Sequence, residues 1–320
     1  MFYLLNKYRN LQLLLSLPLL AWAAFTIFTQ MTLCPPDGQM ALFQSFCRFG
    51  VDNLLAVRVI AMMLLLLEIL LVQRFYSVNK FAENRSFMPV FFLLLFLNVI
   101  KFFNTFTPAF FTMFALSFVM LVNTDFESHG KNRIFASGII IGLASLLDVN
   151  ALWLFPFLIF AMFMGNVYRP KDTFVLLSGI LIVAIYLFSY HYLTDTLPAL
   201  FGSYKELTFF KLFHSSASVR DQIVDWVTIG VVLLATIYFS AVLKLYFDNK
   251  LIVLRKRFLI TVFLNLVMAV MVVFSSLELQ QSFAYMLVPM VLIYSMISLV
   301  KKRRFFHDVL IVASIVLLWL

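Results

Sequence analysis

Charge is scarce in this chain. Asp, Glu, Lys and Arg make up 12% of its 320 residues, while 63% are hydrophobic. That balance excludes a water-soluble fold, whose surface needs about twice as many charged residues. Histidine is also rare, with four residues scattered at 129, 191, 214 and 307. No spacing among them suits a haem or a multi-His metal site, so no metal or other cofactor is expected. A Gly-rich phosphate loop and a nucleophile elbow are missing as well, and nucleotide hydrolysis has no support. Cysteine occurs twice, at Cys34 and Cys47. A disulfide between them would close a loop of about 14 residues and stabilise it by roughly 3 kcal/mol in an oxidising compartment. Two small apolar residues near a membrane interface are the equal alternative.

What the chain has is long apolar runs separated by short polar gaps. Most of its lysines and arginines fall in alternate gaps: Lys7/Arg9, Arg74/Lys80/Arg85, Lys131/Arg133, Arg169/Lys171, the five between Lys244 and Arg257, and Lys301 to Arg304. Basic residues are retained on the cytoplasmic side of membranes. The pattern predicts a multi-pass protein of the cytoplasmic (inner) membrane with a cytoplasmic N-terminus. The net charge of +9 is this positive-inside bias and does not point to nucleic acid. Lys7 and Arg9 precede the first apolar run, but no small-residue cleavage site follows Ala24, so a retained helix is expected.

Eleven helical segments are expected, at about 9–29, 54–72, 88–103, 108–123, 134–148, 151–165, 173–192, 223–246, 258–275, 283–299 and 305–320. The last has only 16 residues, about 24 Å of helix, and is marginal as a span. The fold class is all-α, a single transmembrane helical bundle over residues 1–320. Its two long outward loops, 30–53 and 193–222, are amphipathic. Met40, Phe43 and Cys47 share one side of the first, and Leu207, Phe210 and Phe213 share one side of the second. Both read as short interfacial helices. Gly138 and Gly142 form a small-xxx-small pair that lets a neighbouring backbone approach, and Ser145 and Asp148 continue the same stripe.

Charged groups inside spans are costly and usually functional or paired. Arg58 lies one turn inside the outer end of its helix, and Lys101 lies at a similar depth with Asn98 and Thr105 on its face. Each could snorkel to headgroups; together they suit a phosphate. Glu68 is expected to serve a cytoplasmic-side base or amide group, and Asn265 an interhelical hydrogen bond. Polar residues of chemical use collect on the outward side, among them Asp37, Asp52, Asp148, Asn150, His191, His214 and Glu278. An active site is expected there.

The stretch from Phe135 to Met164, with its Gly-Leu-Ala run at 142–144 and Trp153-Leu-Phe-Pro-Phe, resembles a helical hairpin of polytopic glycosyltransferases of the GT-C type. It also looks like an uncharacterised family of inner-membrane proteins. The GT-C resemblance implies transfer of a sugar from a polyprenyl-phosphate carrier to an acceptor outside the cytoplasm. It implies a carboxylate base in the first outward loop, Asp37 or less readily Asp52, with Asp148 as the alternative. Arg58 and Lys101 would then face the lipid phosphate. Asp37, after Pro35-Pro36, is equally readable as an N-cap. The first loop also departs from the family's pattern, being short and without a paired acidic motif. The competing expectations are a transporter or flippase, and a structural subunit of an envelope complex with partner membrane subunits.

Overall fold

The computed structural model describes residues 9–33, 43, 50, 53–79, 81, 86–122, 130–164, 169–195, 219–248, 252–274, 279–300 and 304–319. Among them are eleven α-helices: α1 (Arg9–Thr29), α2 (Leu54–Val78), α3 (Met88–Val99), α4 (Ala109–Val122), α5 (Lys131–Leu147), α6 (Leu154–Met164), α7 (Pro170–Leu193), α8 (Val219–Phe247), α9 (Ile252–Phe274), α10 (Leu279–Ile297) and α11 (Arg304–Trp319). Four of them are long and apolar enough to cross a membrane and bury only a minor share of their surface: Asn10–Thr29, Leu54–Val78, Pro170–Leu193 and Gly230–Phe247. These helices turn Trp22, Leu70, Tyr186 and Leu234 outward, the surface expected where lipid is the solvent. The protein is a membrane-embedded helical bundle.

Three of the shorter helices sit inside the bundle. α3, α4 and the described side chains of α10 are buried along nearly their whole length. At 12 and 14 residues, α3 and α4 rise about 18 and 21 Å, less than the roughly 30 Å of a hydrocarbon core. Protein rather than lipid surrounds their ends. The ends are accordingly satisfied by protein groups. The Gln12 side chain of α1 accepts from the Phe87 backbone N–H at the start of α3, at 2.6 Å, and Gln73 of α2 donates to the Ser86 carbonyl.

Side-chain contacts fix the helix directions. Gln12 ties the start of α1 to the start of α3. After both helices finish, a two-residue strand β1 (Thr32–Leu33) pairs in parallel with β2 (Thr105–Phe106). α1 and α3 therefore run parallel and pack on each other, and the intervening α2 runs back the other way. At the opposite end, Phe81 beyond α2 meets Phe247 at the end of α8, and Phe247 stacks on Phe258 near the start of α9. α11 lies against α8, with the Thr228 hydroxyl donating to the Leu317 carbonyl at 3.5 Å.

The glycine pair of α5 packs as expected, and its partner is α7. A Cβ on Gly138 would stand 2.3 Å from the Leu176 carbonyl oxygen, and one on Gly179 would stand 2.6 Å from that of Phe135. The two backbones touch at reciprocal glycines. Gly142 meets Val183 further along, so α5 and α7 also run parallel.

Two expectations are corrected. α3 stops at Val99, and a 3-10 turn, Phe102–Asn104, follows. Lys101 thus lies beyond the helix, exposed, with φ of 52°. Asp148 does not extend the glycine stripe. Its backbone is extended (φ −143°, ψ 107°), which ends α5 and turns the carboxylate away from the α7 seam.

Candidate functional site

Most hydroxyls in the long helices are spent on their own backbone. Thr26, Ser137, Thr236, Thr261 and Ser314 each donate to a carbonyl four residues back. α4 is different. Its two hydroxyls, Thr112 and Ser117, cross to neighbouring elements, and each meets a buried carboxyl.

Thr112 donates to Asp148 Oδ2. Asp148 Oδ1 accepts the backbone N–H of Asn150 at 3.1 Å, capping the 3-10 helix Val149–Trp153. Tyr285, near the start of α10, and the Asn150 side chain face the same carboxylate. The Asn150 amide also donates to the Tyr285 hydroxyl at 3.2 Å. Asp148 is 4% exposed, and a buried carboxylate needs such partners. Its donors come from three parts of the chain, and they lock the α5–α6 hairpin onto α4 and α10.

Ser117 donates to Glu68 Oε1 on α2. Glu68 is 1% exposed. Its second oxygen, Oε2, is buried with no hydrogen-bond partner among the described residues. The expected base or amide is therefore replaced by a single hydroxyl. Thr112 and Ser117 are about 7.5 Å apart along α4 and about 140° apart around it. α4 stands between the two carboxyls.

Arg58 lies in the second turn of α2, half-buried, and its Nε is enclosed without a hydrogen-bond partner among the described residues. It shares an end of the bundle with Asp148, because α2, α4 and α10 begin where α1, α3 and α5 finish. Lys101 sits at that end too but is exposed, so of the two expected phosphate ligands only Arg58 is partly enclosed. Asn98 turns to the core, donating to the Leu19 and Leu94 carbonyls. Asn265 is buried, and its Oδ1 lacks the expected partner among the described residues.

Asp37, Asp52, Cys34 and Cys47 lie outside the described residues, as does nearly all of the second long loop. From the first loop, Phe43 is buried and stacks on Phe106, with ring centroids 6.1 Å apart. That contact places Phe43 itself beside β2, just ahead of α4.

At the opposite end, Asn79, Val119, Phe157 and Arg257 line a cavity of about 10 Å³, room for about one water. It is too small for a substrate. A wide open hollow of about 520 Å³ lies instead along the last turns of α7, lined by Phe188, Ser189, Tyr192 and Leu193.

Sequence reasoning found Asp148, Asn150, Arg58 and Glu68 but missed Thr112, Ser117 and Tyr285. Their signal was faint: hydroxyls in apolar helices, of which only some leave their own backbone. No family model, curated protein or solved structure matches the chain.

Proposed function

We propose that the chain is an inner-membrane protein of about eleven spans, N-terminus cytoplasmic, with a GT-C-like layout. On this reading it transfers a sugar from a polyprenyl-phosphate carrier at the extracytoplasmic face. The observation that carries the reading is the gathering of polar groups at one end of an apolar bundle. Arg58, Lys101, Asp148, Asn150 and Tyr285 all belong to that end, and the apolar α7 hollow opens there.

In this reading Arg58 holds the lipid phosphate and stabilises the charge that develops as the sugar leaves. A carboxylate takes the acceptor's proton. Asp37 is the first choice for that base. Asp148 is already engaged by Thr112, Asn150 and Tyr285 and serves better as the brace that sets the geometry of this end. Asp52 is the third option.

The test is binding in nanodiscs of neutral lipid, read by native mass spectrometry. Polyprenyl phosphate should bind at least tenfold tighter than the neutral polyprenol, and Arg58→Gln should remove most of that preference. Equal binding of phosphate and alcohol would end the reading. Orientation is checked separately: an impermeant thiol reagent should reach a cysteine placed at Ser216 and not one placed at Asn249.

The saturation of Asp148 favours a second reading, a non-catalytic subunit of an envelope complex. Asp37→Asn separates the two. An amide keeps the capping geometry but takes no proton, so it abolishes transfer by an enzyme and leaves assembly by a subunit intact.

A further inference from the structure

Glu68 is a carboxyl that the proposed chemistry leaves unused, and it lies where an ionised group meets no compensating charge among the described residues. α2 places it 14 residues from one helix end and 10 from the other, about 21 and 15 Å. The helices that pack on α2 carry nothing to neutralise it. α3 and α4 contain no Lys, Arg or His. Neither does α10, whose Ser295 approaches Tyr76 of α2. α1 offers only Arg9, its first residue. Arg257 of α9 reaches α2 near Asn79, about 16 Å beyond Glu68 along the axis. On α2 itself, Arg58 is about 15 Å away. Arg74 is about 9 Å along, on a different face, and exposed.

The carboxyl has one donor, Ser117, on Oε1, and Oε2 has no partner among the described residues. Asp148 shows how this bundle accommodates a carboxylate: with several donors. Among the described residues Glu68 has one, and no cation. An unpaired charge in the bilayer interior is expensive, whereas an uncharged carboxylic acid costs far less.

We propose that Glu68 and Ser117 form a proton-binding site inside the membrane, Glu68 Oε2 carrying the proton while Oε1 accepts from Ser117. The ligand is the proton itself. The inference stands apart from the glycosyl-transfer reading.

Infrared spectroscopy of the whole protein in lipid at neutral pH tests it. The carbonyl stretch of a protonated carboxyl absorbs above the amide band, apart from ionised carboxylates. Protein carrying glutamate 13C-labelled at its side-chain carboxyl should show an isotope-shifted band of this kind, because exposed glutamates are ionised and do not contribute. Glu68→Gln should remove it. Ser117→Ala should move it to higher frequency, since the carbonyl loses its hydrogen bond; this arm holds even if Glu68→Gln fails to fold. Absence of the shifted band in the labelled wild type overturns the proposal. So does a band that persists in a folded Glu68→Gln protein, or one that Ser117→Ala leaves unmoved.

Discussion

Asp148 and Glu68 are both buried carboxyls, and α4 gives each of them one hydroxyl. Their surroundings otherwise differ. Asp148 ends a helix, so the backbone N–H groups of the following turn are free to point at it, and the start of α10 adds Tyr285. Glu68 sits mid-helix, where every neighbouring N–H is committed to its own helix. The lesson is about position. A helix end in an apolar bundle supplies donors and can hold a carboxylate, whereas a helix middle supplies almost none. The same acid is a brace in one place and a proton holder in the other.

The largest effect should come from emptying the braced site. Asp148→Ala leaves Thr112, Tyr285 and the Asn150 backbone N–H without their acceptor. At roughly 1 kcal/mol or more for each stranded donor, the cost should be about 3 kcal/mol. Unfolding in mixed micelles measures it. A loss below about 1 kcal/mol would mean that the hydrogen-bond set at Asp148 does not brace the hairpin.

A smaller effect reaches the same site from a distance. In Gly138→Ala the new methyl meets the Leu176 carbonyl, which is backbone and cannot swing aside. α5 must shift, at a cost of about 2 kcal/mol, and Asp148 shifts with it. Gly138→Ala should therefore combine non-additively with Asp148→Ala and additively with Ser117→Ala, whose partner lies on α2. Additivity in both cycles would separate the seam from the brace.

Much of this arrangement was legible beforehand. The eleven segments were expected with ends within six residues of where they occur, because apolar runs broken by charge leave little choice. The close approach at Gly138 followed from spacing alone. What could not be read was which way the two ends of α5 and α3 turn. Asp148 looked like the next step of a glycine stripe, and Lys101 like a residue of helix three, because periodicity continues on paper after the backbone has left the helix. The partners Thr112, Ser117 and Tyr285 were hidden for another reason. In an apolar helix a hydroxyl bonded to its own backbone and one that crosses to a neighbour look alike in sequence.

Conservative amides sharpen the contrast at lower energy. The Asp148 site is made of donors, so the NH2 of Asp148→Asn would face Thr112 or Tyr285 donor to donor, costing about 1–2 kcal/mol. At Glu68 the amide carbonyl still accepts from Ser117 and its NH2 stands in for the protonated oxygen. Glu68→Gln should stay within about 0.5 kcal/mol of wild type. The reverse order, with the Glu68 amide costing more, would show that Glu68 holds a charge.

The smallest expected effect concerns Lys101, at the same end of the bundle as Asp148 but outside its hydrogen bonds. Its φ of 52° is left-handed, where a side chain costs about 1 kcal/mol and glycine costs nothing. Its side chain is exposed, so little packing is lost on removing it. Lys101→Gly should leave stability unchanged or raise it by up to about 1 kcal/mol, the gain reduced by glycine's greater freedom in the unfolded chain. The same variant removes a cation. If Lys101 helps Arg58 hold a lipid phosphate, polyprenyl-phosphate binding should weaken while stability holds, and the weakening should shrink at high salt as for any exposed charge. If binding is untouched, the phosphate rests on Arg58 alone. A non-glycine residue in this conformation would then have no binding role to account for it, and the strained turn would mark only the point where α3 stops.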